Sequence, residues 1–179
     1  GQHPEINLEE NVLPIVKNLI RKDPESYSNR AIELQIFQVL KNWEKVKETA
    51  LSILREFPDE ETTMLAPAIA CEKLGELDHA ILWLNRAIGA KPSFARARVT
   101  LAKIYESQEK IALAEEVMRE IPVAFPEYTF GNIQLAIFLY KNGKEDEATA
   151  IFRSAYGKLR PWEKSSAEQS PEGKAMLNR

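Results

Sequence analysis

The chain has 179 residues, enough for one domain or a short array of repeats, and 44% of them are hydrophobic, which can supply a buried core. Its 24 basic and 27 acidic residues give a net charge of −3, so no global charge attracts nucleic acid or an anionic membrane. The single cysteine, Cys71, excludes an intrachain disulfide framework, and no apolar run is long enough to span a bilayer. We therefore expect a soluble segment without membrane insertion, in either the cytoplasm or the periplasm.

Prolines recur along the chain at a fixed interval. Pro24, Pro58, Pro92 and Pro126 follow one another at a spacing of 34 residues, and Pro161 falls one residue late. A constant period of about 20 to 50 residues indicates a repeat array. The predicted organisation is an N-terminal helix that is the second helix of a partial repeat (1–26), four repeats (27–60, 61–94, 95–128 and 129–161) and a polar tail or capping helix (162–179).

Apolar residues recur at equivalent positions of the four repeats, which are numbered here from Tyr27, Glu61, Ala95 and Thr129. Positions 8 and 11 indicate a first helix, and positions 20, 24, 27 and 28 indicate a second helix with an amphipathic stripe. A break separates the two stripes and is clearest at Gly75 and Gly143, because glycine often ends a helix. Each repeat should therefore form two antiparallel helices that end at the recurring proline.

Two further prolines fall where helices are predicted. A proline in a helix interior removes a hydrogen bond and costs about 3 kcal/mol. Pro67 is compatible with a first helix that starts late, near Thr63 or beyond. We expect Pro122 to shorten its second helix and to leave residues 123–125 as an irregular connection.

These residues resemble the tetratricopeptide repeat, a helix-turn-helix unit of 34 residues. The family pattern favours small residues near position 8 and alanine at positions 20 and 27, with a large apolar residue at 24 and proline at 32. The stretch KLGELDHAILWLNRAIGAKP fits its second half through Gly75, Ala80, Leu84, Ala87 and Pro92. The resemblance implies an all-α fold, a right-handed superhelical stack of antiparallel helix pairs; the alternative is another type of helical repeat.

No group of residues indicates catalysis or metal binding. The two histidines, His3 and His79, are far apart in the sequence, and Cys71 occupies a core position, where a buried small hydrophobe is expected. Carboxylates cluster at predicted helix starts, where they favour a solvated first turn. We therefore expect no enzyme activity, no cofactor and no metal.

The resemblance also implies that positions 2, 5, 9, 12 and 13 of the first helices face a concave groove. The candidate partner-binding residues are Gln35, Ile69, Lys73, Arg96, Val99, Lys103, Phe130, Ile133, Ile137 and Tyr140. Arg96 and Lys103 can meet an acidic group of a ligand or pair with Glu72 and Glu106. The far end is apolar and aromatic, which favours a peptide site unless the C-terminal segment folds into it through Met176 and Leu177.

We expect a protein-interaction module that binds a peptide or helical segment of a partner in this groove, within a multiprotein assembly. The clamp that some family members use for acidic chaperone tails is absent, since only Arg96 keeps the expected charge among Ala31, Gln35, Ala66, Arg96 and Thr100. One alternative is self-association into a homo-oligomer, and another is an assembly factor of a bacterial envelope or secretion complex that is tethered upstream to a membrane. RNA binding is disfavoured, because the net charge is negative and apolar residues occupy one groove position.

Overall fold

Helices occupy most of the chain in the structure, a computed structural model that describes residues 7–125 and 128–179, with the side chains at 61–62 left out. A π-helical turn, Leu8–Val12, leads into the first α-helix. The α-helices are α1 (Leu13–Lys22), α2 (Tyr27–Val39), α3 (Trp43–Glu56), α4 (Glu61–Met64), α5 (Ala66–Lys73), α6 (Leu77–Ala90), α7 (Ala95–Ser107), α8 (Ile111–Ala124), α9 (Thr129–Lys141), α10 (Glu145–Tyr156), α11 (Pro161–Gln169) and α12 (Pro171–Leu177). The predicted all-α fold is confirmed, while residues 1–6 of the predicted N-terminal helix, including His3, and the predicted repeat end at Pro126 lie outside the described residues.

The chain divides into two compact halves, Gly1–Ala90 and Lys91–Arg179. The core of the N-terminal half joins α1, α2, α3 and α5 through buried residues such as Val16, Phe37 and Ile53. The core of the C-terminal half joins helices from α7 to α12, and Phe152 and Met176 are completely buried in it. Each half therefore has its own hydrophobic core.

The two helices of each predicted repeat contact each other and are joined by a short turn. In the C-terminal half the pairs are α7 with α8 and α9 with α10, and residues at positions 8 and 20 lie fully inside: Ala102, Ala114, Ala136 and Ala148 are at most 1% exposed. Methyl side chains at these positions let the paired helices approach closely, so that their surfaces interdigitate.

The turn between paired helices has the same backbone conformation in all four repeats. Position 15 has a positive φ in each: 55° at Lys41, 78° at Gly75, 59° at Glu109 and 79° at Gly143. The next residue donates its N–H to the carbonyl five residues earlier, as in the 2.9 Å bond from Lys144 to Leu139, which ends the first helix. Glycine adopts this conformation without strain, whereas Lys41 and Glu109 are held there by the surrounding hydrogen bonds.

The two additional prolines have different outcomes. At Pro67 the first helix of the second repeat is interrupted at Leu65, and Pro67 occupies the first turn of α5, where a proline is tolerated. The prediction for Pro122 is wrong, because α8 continues through it to Ala124. Only two residues of α8 follow this proline, and the end of the helix is held by the 2.9 Å bond from the Phe125 N–H to the carbonyl of the fully buried Ile121.

Ion pairs connect consecutive repeats at matching positions. Lys47 of α3 contacts Glu76, which precedes α6, at 2.7 Å, and Glu115 of α8 contacts Lys144, which precedes α10, at 2.5 Å with the charges reversed. Arg119 strengthens the second pair, because it contacts both Glu115 and Glu147. The Lys144 ammonium, with Arg119 beside it, lowers the pKa of Glu115 below its ordinary value.

The strained turns give a first prediction. Replacing Lys41 or Glu109 by glycine should raise the free energy of unfolding by about 0.5–1 kcal/mol. The left-handed conformation costs a residue with a Cβ roughly 1–2 kcal/mol, and glycine removes this cost. Part of the gain is lost because glycine also gives the unfolded chain more conformational freedom. Chemical denaturation measures the change. Gly143→Ala is the opposite control and should destabilise; equal effects of all three substitutions would contradict the prediction.

The ion pairs give a second prediction. Glu115→Gln should lower the free energy of unfolding by about 0.5–1 kcal/mol at pH 7. Since the folded-state pKa of Glu115 is depressed, its contribution is present above the unfolded-state pKa of about 4.3 and disappears as the pH falls through the folded-state pKa. Denaturation curves of the two proteins should therefore converge in acid. The double exchange Glu115→Lys/Lys144→Glu should recover part of the loss caused by Glu115→Lys alone; no recovery would show that the pair does not link the repeats.

Candidate partner-binding faces

The predicted site residues of the N-terminal half form a mostly polar surface. Gln35 lies exposed on α2, Ile69 is half-buried on α5, and Lys73 is exposed at the end of α5. The Lys73 ammonium contacts the neighbouring Glu72 carboxylate at 3.2 Å. This carboxylate, which the sequence offered as a partner for Arg96 or Lys103, therefore has a cation beside it in its own helix.

The predicted site residues on α7 combine two exposed cations with an apolar side chain. Arg96 and Lys103 are exposed, seven residues apart on one side of the helix, and Val99 between them packs against the core of the C-terminal half. In the described part of the chain neither cation forms an ion pair, and the expected pairing with Glu106 is not present. Both charges are therefore available to a ligand.

The predicted site residues on α9 differ in exposure. Phe130, Ile137 and Tyr140 are half-buried, and the last two pack against the edge of the core. Ile133 was expected to face a partner, but its side chain is 0% exposed and belongs to the core itself. That expectation is wrong because Ile133 is one of the residues that form the hydrophobic core of the C-terminal half, so no surface of it is left for a ligand.

One aromatic residue beside these positions was missed by the sequence reasoning. Tyr128 is 39% exposed. Its ring packs edge-to-face against the Phe130 ring, and the centres of the two rings are 6.3 Å apart. Burial raises the pKa of Tyr128, the Glu163 carboxylate raises it further, and the charge of Arg96 opposes both. Arg96 is therefore close enough for its charge to act on this phenol. Tyr128 occupies the last position of its repeat, which the sequence pattern assigns to a connection between helices. The one feature of the sequence that could have pointed to it is its aromatic ring, two positions before Phe130.

The C-terminal segment is helical and docked. Met176 on α12 is 0% exposed in the core that contains Ile133, and the Arg179 guanidinium contacts the Glu145 carboxylate at 2.9 Å. Gly173 is needed where α12 approaches the end of α11, since a Cβ there would lie 2.1 Å from the Ala167 carbonyl oxygen. With this segment in place, Arg96 and Lys103 remain exposed. The C-terminal segment therefore folds onto the core through Met176 and contacts α9, as one of the two expected alternatives had it, and it leaves these two cations exposed.

The described residues also bear on the expectations for reactive thiols, metal sites and membrane-spanning helices. Cys71 is buried and free, and burial raises the pKa of its thiol, as expected for a core residue. No group of three or more potential metal-binding side chains lies together within residues 7–125 and 128–179. In the same ranges, no helix combines the length and apolarity needed to cross a membrane.

Solved structures resemble this chain, whereas no family sequence model and no curated protein sequence matches it. TTC0263, a thermophilic TPR protein in Thermus thermophilus, aligns with a TM-score of 0.69 at 14% identity over 93% of this chain and 89% of its own. MamA aligns with a TM-score of 0.64 at 18% identity, over 82% and 85% of the two chains. YrrB, described as a TPR protein with an unusual peptide-binding site, aligns with a TM-score of 0.59 at 14% identity, over 91% and 89%.

The docked C-terminal segment gives a third prediction. Met176→Ala should lower the free energy of unfolding by about 2 kcal/mol or more, because it leaves a cavity in the core. The neighbouring Leu177, which is 36% exposed, provides the matched control, and Leu177→Ala should cost far less. Thermal denaturation and limited proteolysis at the C-terminus measure both effects; equal losses from the two variants would mean that α12 is not anchored through Met176.

Proposed function

Since this chain has the tetratricopeptide-repeat fold, we propose that it is a protein-interaction module that binds a segment of a partner on the first-helix face of its C-terminal half. This first-helix face consists of residues on α7 and α9 and of one residue just before α9: Arg96, Val99, Lys103, Tyr128, Phe130, Ile137 and Tyr140. The observation that carries the proposal is that Arg96 and Lys103 lie exposed on one side of α7 and form no ion pair in the described residues, while Phe130, Ile137 and Tyr140 of α9 are only half-buried.

The chemistry of the first-helix face favours a ligand with two features. A carboxylate would form charge-assisted hydrogen bonds with Arg96 or Lys103, which are stronger than bonds between neutral groups. A bulky apolar side chain would cover Phe130, Ile137 and Tyr140, which are only half-buried. An acidic peptide or helix with aromatic or aliphatic residues meets both requirements, and YrrB offers a precedent for peptide binding on this fold.

The proposed surface omits four of the site residues that the sequence predicted. Ile133 acts through the core, where it supports α9, and makes no contact with the ligand. Gln35, Ile69 and Lys73 belong to the N-terminal half, and the proposal does not depend on them. Binding of this kind uses hydrogen bonds and apolar contacts, so it requires no catalytic group.

The test is a fourth prediction and uses a phage-displayed library of random dodecapeptides, selected on the wild-type protein. Enriched peptides should carry Asp or Glu close to an aromatic or aliphatic residue. Arg96→Glu/Lys103→Glu should weaken their binding by about tenfold or more, because it replaces attraction by repulsion at two points. Fluorescence anisotropy with the enriched peptides measures the dissociation constants.

Lys22→Glu/Arg153→Glu is the matched control, since it makes the same change in net charge at two exposed cations that have no ion pair in the described part of the chain. It should change the dissociation constant less than twofold. Circular dichroism verifies that all variants keep their helices. If the double variant binds the same peptides as tightly as the wild type does, the first-helix face is not the binding surface.

A further inference from the structure

A pocket of about 620 Å³ lies in the N-terminal half, between the second helices of the first and second repeats. Its walls come from one stripe on α3 and one on α6, with Met64 of α4 between them; the stripes include Leu51, Leu54 and Arg55 on α3 and Trp83, Arg86 and Ala87 on α6. Met64 and Ala87 are buried and form the floor, while Leu51, Leu54 and Trp83 are half-buried. The pocket therefore has an apolar interior of a size that accommodates a bulky side chain.

The rim of the pocket is cationic. Arg55 and Arg86 are both exposed, and in the described residues neither forms an ion pair with a carboxylate. The Arg86 guanidinium lies 4.7 Å from the centre of the Trp83 ring, which orients it along the pocket wall. Asp59 is the acidic residue among the lining side chains, so the two arginines leave a net positive charge around an apolar floor.

Comparison with two other repeats explains why Arg86 is left without a carboxylate in the described residues. At position 4, Arg30 of α2 reaches across to Ser52 and Glu56 of α3, and Arg98 of α7 donates from its Nε to Glu120 of α8 at 3.2 Å. In the second repeat position 4 is Met64, and the arginine stands instead at position 26, as Arg86. The residue that faces the second helix from position 4 is therefore apolar here and offers Arg86 no charge.

We propose that this pocket is a second binding site, for an extended partner segment in which one bulky apolar side chain is flanked by carboxylates. The apolar side chain enters between Leu54 and Trp83, and the carboxylates meet Arg55 and Arg86 at the rim. The rim residues are exposed along both helices, so the pocket is an open cleft and a chain can pass through it. This suits a peptide better than a small molecule that must be enclosed on most sides.

This site is distinct from the first-helix face, because every lining residue belongs to the N-terminal half and most lie on second helices. The experiment therefore starts from the Arg96→Glu/Lys103→Glu variant, in which the first-helix face of the C-terminal half is disabled. A random dodecapeptide library is displayed on phage and selected on this variant. We expect enrichment of peptides with an aromatic or large aliphatic residue next to Asp or Glu.

The enriched peptides are then titrated into variants of the pocket in that same background. Arg55→Glu/Arg86→Glu should weaken binding by about tenfold or more. The control Lys22→Glu/Arg153→Glu makes the same change in net charge at two exposed cations that do not line the pocket, and it should change affinity less than twofold. A site-specific signal is available after Trp43→Phe/Trp162→Phe, since Trp83 is then the remaining tryptophan, and its emission should shift on binding.

Each other result overturns the proposal. If no peptide is enriched, or if the enriched peptides lack acidic residues, the pocket does not recognise this chemistry. If the peptides bind the Arg55→Glu/Arg86→Glu variant as tightly as its parent, or if Trp83 emission does not change at saturation, binding occurs elsewhere. Because the selection starts from a variant with the first-helix face disabled, this failure would leave the proposed function of that face unaffected.

Discussion

The structure depends on the close contact between the two helices of each repeat. At positions 8 and 20 the side chains are small in three of the repeats, and all are buried: Ala68 and Ala80, Ala102 and Ala114, and Ala136 and Ala148. A larger side chain at these positions would push the helices apart and open the core on both sides, which proteins tolerate poorly. Larger residues such as Met118 and Phe152 then fill the space between neighbouring pairs, so the spacing set by the alanines determines which other side chains are buried.

Ion pairs identify some of the arginine side chains as part of the scaffold. Arg30, Arg98 and Arg119 each contact a carboxylate on a neighbouring helix and so contribute to the fold. Arg96, Lys103, Arg55 and Arg86 are exposed and form no ion pair within residues 7–125 and 128–179. Arg86 stacks on the Trp83 ring, and the charge of Arg96 acts on Tyr128, so each of the two groups has an aromatic neighbour. Unpaired cations next to accessible aromatic surface are what an acidic, partly apolar ligand requires.

Much of the helical organisation could be predicted from the sequence, because the apolar residues recur with a constant period and Gly75 and Gly143 indicate a turn. The equivalent turns at Lys41 and Glu109 could not be assigned a positive φ, since neither residue type favours that conformation. Pro122 was expected to shorten α8, but a proline so near the end of a helix removes one backbone hydrogen bond while the Phe125 N–H still bonds to the Ile121 carbonyl beyond it.

The candidate site was less accessible to sequence reasoning. A repeat pattern predicts which side of a helix a residue occupies, but not how deeply it is covered, so Phe130 and Ile133 appeared equivalent although Ile133 is fully buried. Tyr128 was missed because its role depends on its edge-to-face contact with Phe130. Arg86 forms no ion pair in the described chain, and position 4 of its repeat is Met64 where two other repeats have an arginine. This difference gains its meaning only from the ion pairs that Arg30 and Arg98 form in the structure.

The most direct test of the proposed function is to map a bound peptide onto the protein by NMR. A dodecapeptide selected on the wild-type chain is titrated into uniformly ¹⁵N-labelled protein, and the backbone amide shifts are followed. The largest changes are predicted at Arg96, Val99 and Lys103 of α7 and at Tyr128, Phe130, Ile137 and Tyr140. If the amide shifts of these residues stay constant at saturation while those of other helices change, the first-helix face is not the partner-binding surface.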